Sequence, residues 1–130
     1  MRNLKLLFPL CLLTLTAAAP AAVSIVDSNN DFDCATAFKY AYRMSVAKQL
    51  EPEIQEQTLL MNKWFTGNLH DDKLPGDKSQ LVDHFSKVLD VLVNDPKGAG
   101  EVLKACSARA NADPAFEPFW ILHRKDPLPR

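Results

Sequence analysis

An all-α fold, a four-helix bundle closed by one disulfide with a short irregular or helical C-terminal segment, is what the 130-residue sequence predicts. Three observations carry that prediction. Apolar residues recur at three- and four-residue steps in segments separated by Pro, Gly and Asp punctuation. No strand-like alternation of any length is present, nor any repeat of 20 to 50 residues. Beyond the extreme N-terminus there are two cysteines, Cys34 and Cys106, which fall at the head of the first helical segment and inside the fourth.

The N-terminus sets the redox context for those thiols. Arg2 and Lys5 precede the apolar stretch LLFPLCLLTLT, and AAAPAA follows with small residues suited to a cleavage site, the pattern of a secretory signal peptide over residues 1–21. Cutting after Ala21 uses Ala19 and Ala21 as the small pair and starts the mature chain at Ala22. An uncleaved anchor is the alternative, since residues 6–26 carry no charge and are long enough to cross a bilayer. The alanines and Pro20 make the second half of that run only weakly apolar, which argues against it. A lipoprotein would need a small residue before its cysteine, and Leu10 precedes Cys11. Removing residues 1–21 from 130 leaves 109, the size of one small domain. Without Arg2 and Lys5 the count is 13 basic against 16 acidic residues, net −3, which argues against binding a phosphate backbone and so against a nucleic-acid partner.

Residues 22–112 are expected to form the four-helix domain. Asp31 or Asp33 is the expected N-cap of a first helix running from about Cys34 to Leu50, with Cys34, Ala37, Phe38, Ala41, Met44 and Ala47 on one face. Pro52 disfavours helix at Glu51 but suits the first turn of a second helix, where Glu53 and Glu56 oppose the positive dipole end. Ile54, Thr58, Met61 and Phe65 form its inward stripe, flanked by Leu60 and Trp64, and Gly67 fits its end. NLHDDKLPGD reads as a loop delivering Asp77 to a capping box with Gln80. The third helix, Lys78 to Asn94, carries the clearest stripe: Leu81, Phe85, Val88, Leu89 and Leu92. Asp95 caps a fourth helix that starts at Pro96 and runs to about Ala110, with Val102, Leu103, Cys106 and Ala110 inward. In residues 113–130, Asp113 and Pro114 suit one more short helix, while Pro118 and the closing DPLPR point to a loose, partly extended tail.

Cys34 and Cys106 are expected to form a structural disulfide. In an oxidising compartment a distant pair of this kind becomes a bridge, whereas a redox centre would show Cys-x-x-Cys and a structural zinc would need four ligands. In the chain-entropy model a loop of this length confers about 4 kcal/mol, a large share of the roughly 5–15 kcal/mol that holds a small domain folded.

The chemistry-bearing residues form no catalytic constellation. His70, Asp71 and Asp72 make a start on a divalent metal site, but neighbours in one loop need more distant ligands, so a solvated turn is expected and a metal-dependent enzyme is the least favoured function. Asp83 and His84 are consecutive on a helix and point about 100° apart, so neither orients the other. His84 is read as a boundary histidine with a solvent partner. His123, beside Arg124 and Lys125, is read as serving solubility or an acidic contact. No serine elbow, phosphate-cradling glycine loop or distinctive acid pair is present, so no enzyme activity, cofactor or metal is expected.

Trp64, Phe65, Phe116, Phe119 and Trp120 are the candidate binding residues. Either the C-terminal segment folds back and caps an open end of the bundle with these rings, or they form an exposed patch for a partner protein, an apolar ligand or a membrane.

The order of Cys34, WFTGNL at residues 64–69, a capped third helix and Cys106 in a fourth resembles small exported two-cysteine helical proteins of Gram-negative alphaproteobacteria, a group without an assigned activity. The resemblance spans about residues 33–110; the leader predicts a periplasmic or secreted domain with no stable membrane span after cleavage. A second similarity, of architecture only, is to periplasmic acid-stress chaperones, which are small, helical and tied by one disulfide. The leading expectation is an exported, non-catalytic accessory or interaction protein. The alternative is a chaperone whose 16 acidic residues lose charge as pH falls and loosen the fold around its staple.

Overall fold

The computed structural model describes residues 25–70, 74 and 76–125, which form five α-helices and, among the described residues, no strand. The helices are α1 (Asp31–Ala47), α2 (Pro52–Gly67), α3 (Lys78–Asn94), α4 (Pro96–Ala112) and α5 (Phe116–His123). The leader at residues 1–21, Asp71 and Asp72 of the His70 loop, and the closing residues 126–130 lie outside the described residues.

Local chemistry sets the helix ends, and α1 differs from expectation at both. Its N-cap is Asn30, whose Oδ1 accepts from the backbone N–H of Phe32 at 2.8 Å and of Asp33 at 3.3 Å. With Asn30 capping, Asp31 and Asp33 lie in the first turn against the positive dipole end instead of capping it. The helix stops at Ala47 and not at Leu50, because Gln49 takes a left-handed φ of 52°. The Leu50 N–H then donates to Ser45 O at 2.9 Å and the Gln49 N–H to Val46 O at 3.0 Å, a Schellman closure made without glycine. The third helix starts as expected: Asp77 Oδ1 accepts from the Gln80 N–H and Gln80 Oε1 accepts from the Asp77 N–H, both at 2.9 Å. Asp95 caps α4 by accepting from the Gly98 N–H at 3.0 Å, with Pro96 at the first helical position. Pro118 sits in the first turn of α5, where its missing N–H leaves no helical bond unmade.

The helices pack as a disulfide-tied bundle with α1 at its centre. α1 packs on α2, α3 and α4; α3 packs on α4; and α5 lies on α2 and α4. The bridge joins Cys34 to Cys106, with Cα atoms 5.8 Å apart and both residues fully buried. One core cluster surrounds it, built from Ala35 and Phe38 of α1, Met61, Trp64 and Phe65 of α2, Ala110 of α4 and Phe116 of α5. A second unites Val26, Ala37, Val88, Leu92 and Ala99 beneath α3. Two inward assignments are corrected. Ile54 is 40% exposed, and Ala47 is exposed, because each lies at a helix end beyond the reach of its neighbours.

Eight residues of isolated helix are not stable alone, so α5 is held by its side chains. Phe116 is buried against Trp64, ring centroids 5.2 Å apart, and Phe119 lies 5.3 Å from the same indole. Removing one buried ring of this kind costs roughly 3–5 kcal/mol. At the far end the Lys125 N–H donates to Glu56 Oε1, so α5 runs antiparallel to α2.

Candidate functional site

An apolar groove of about 490 Å³ opens where α1, α2, α4 and α5 meet. Phe38, Met61, Phe116 and Trp120 supply its apolar walls, and Gln57, Thr58, Ser107, Asn111 and Glu117 surround them with polar groups. Each wall residue has a structural anchor. Phe38 stacks on Phe65 at 6.0 Å, Phe116 is wedged between Trp64 and Trp120, and Met61 is buried in the disulfide cluster. The groove is therefore an open gap between packed elements, with a volume in the range of small-molecule sites.

The five candidate aromatics fall into two groups. Trp64, Phe65 and Phe116 are buried in the core; Phe119 and Trp120 are half-buried. Of the five, Phe116 and Trp120 line the groove, and Phe119 instead packs between Trp64, Phe116 and the ring of His123, whose centroid is 4.4 Å away. Trp64 and Phe65 border a separate, polar cleft of about 260 Å³ with Asp31, Asn68, His70, Arg109 and Asp113. His70 is exposed, and no group of three or more potential metal ligands exists among the described residues.

Two polar constellations went unread in the sequence. Arg109 is the first. Its guanidinium meets Asp31 Oδ1 at 2.7 Å, donates through Nε to Ser28 O at 2.9 Å, approaches Cys34 Sγ at 3.4 Å and lies 5.1 Å over the Phe65 ring. It thus pins the entry of α1 to α4 beside the disulfide. The second is Asp33 with His84. Asp33 is 1% exposed; its Oδ2 accepts from the Asp27 N–H at 2.8 Å and its Oδ1 lies 2.6 Å from His84 Nε2. The partner of His84 is this buried carboxylate and not solvent, because α3 packs its polar border directly on the first turn of α1. Both constellations join elements that are far apart in sequence.

Comparison with known proteins gives no match: no family model fits the chain, and no curated protein or solved structure is similar to it. The fold and groove define a class in physical terms only, a disulfide-tied helical protein with a preformed apolar cleft. No helix among the described residues is long and apolar enough to cross a membrane.

Proposed function

We propose that the chain is an exported binding protein, cleaved after Ala21, whose four-helix unit and appended α5 hold a small apolar ligand in the groove between α1, α2, α4 and α5. The observation that carries the reading is the groove itself: Phe38, Met61 and Phe116 buried in the core and Trp120 packed against it, around about 490 Å³ of open space. Its volume and mixed lining, apolar walls with a few polar groups around them, fall in the range of sites that hold small molecules. Support for export comes from the leader sequence and from the Cys34–Cys106 bridge, a pairing at home in an oxidising compartment.

Filling the groove tests the reading. Thr58→Phe and Ser107→Phe place rings at its mouth from positions that are only partly buried. Binding of an uncharged apolar fluorophore is expected to fall about tenfold or more in either variant, with the helical circular dichroism unchanged. Undiminished binding in both would refute the groove as the site.

A further inference from the structure

We infer that the groove selects an apolar ligand carrying a positive charge, an alkylammonium in preference to an alkyl carboxylate; this rests on the groove being a binding site at all. Three aromatic rings line it, those of Phe38, Phe116 and Trp120. The faces of such rings attract a cation that comes within about 6 Å of the centroid, tryptophan most strongly. Phe116 and Trp120 stand 5.6 Å apart and tilted at 50°, and of the two only Trp120 is half-exposed to the groove. The ionisable group of the lining is Glu117, a carboxylate at the exposed edge; Gln57, Thr58, Ser107 and Asn111 are neutral hydrogen-bonding groups. A cationic head is drawn by Glu117 and by an aromatic face within reach, that of the half-buried Trp120 above all, whereas an anionic head gains nothing from the rings and is repelled by the Glu117 carboxylate. The cations of α4 do not line the groove: Lys97 and Lys104 are exposed, and Arg109 is paired with Asp31.

The test uses three probes with one tail: decyltrimethylammonium, decanol and decanoate, each below its aggregation concentration. They are titrated by calorimetry and tryptophan fluorescence into the chain starting at Ala22, which keeps every described helix. The ammonium is expected to bind about tenfold tighter than decanoate. Glu117→Gln should bring the two to within about threefold of each other while leaving decanol unchanged, and Trp120→Leu should weaken the ammonium more than decanol. Decanoate binding as tightly as the ammonium, or a ratio unmoved by Glu117→Gln, overturns the selection while leaving the groove reading in place. Failure of all three probes to bind overturns both.

Discussion

Asp33 shows how one side chain can organise the entry to α1. Its carboxylate is buried, joins the chain before α1 through the Asp27 N–H and takes His84 from α3 on its other oxygen. Deleting one partner of such a pair leaves the other in a poorly solvated place, so the two side chains should be energetically coupled. A double-mutant cycle on Asp33→Ala and His84→Ala, read by urea unfolding, is expected to give a coupling of about 1–3 kcal/mol, with strictly additive losses as the contrary result. This pair was not legible in the sequence, since Asp33 reads equally well as a cap and nothing local reveals that α3 will lie over the first turn of α1. Arg109 was legible in principle. Once Cys34 and Cys106 are bonded on antiparallel helices, the residue three before one faces the residue three after the other, which brings Asp31 to Arg109.

At the scale of elements, capping chemistry made the sequence most transparent. Asp77 with Gln80, and Asp95 with the Gly98 N–H behind Pro96, fixed the starts of α3 and α4, because these hydrogen bonds lie within a few residues. The end of α1 was opaque for the opposite reason: the left-handed position is filled by Gln49, which carries no turn signal. A side chain at φ 52° is strained relative to glycine. Gln49→Gly is therefore expected to raise stability by about 0.5–1 kcal/mol in thermal unfolding; a loss of stability would show that the Gln49 side chain makes a compensating contact. The amphipathic stripes told which face of each helix turns inward but not where a neighbour ends, hence the exposure of Ile54 and Ala47. The fate of the C-terminal aromatics likewise depended on α5 meeting Trp64, a contact between residues some fifty positions apart in the chain.

For the whole molecule, the bridge is the dominant single constraint. It closes a loop of 72 residues between the central helix and α4 and sits in the same cluster as Phe65, Met61 and Phe116. The chain-entropy estimate of about 4 kcal/mol corresponds to a fall in melting temperature of roughly 15 °C or more when the bond is absent. Calorimetry of Cys34→Ala/Cys106→Ala beside the oxidised chain is expected to show that fall, and equal melting temperatures would remove the staple from the account. The all-α class followed from helical periodicity, and the pairing from two distant cysteines behind a leader-like stretch; the helix count did not, since a fifth helix packs on α2 and α4, nor did the groove, which is bounded by Phe38, Met61, Ser107 and Trp120 from four separate helices.

Whether that groove is where an apolar molecule sits is best decided by residue-resolved chemical-shift mapping of the ¹⁵N-labelled chain with decanol, an uncharged probe. Saturable shifts concentrated on Gln57, Thr58, Met61, Ser107, Asn111 and the Trp120 indole are expected. Shifts that never saturate, or that gather instead on the exposed Val82 and Val93 of α3, would contradict the account.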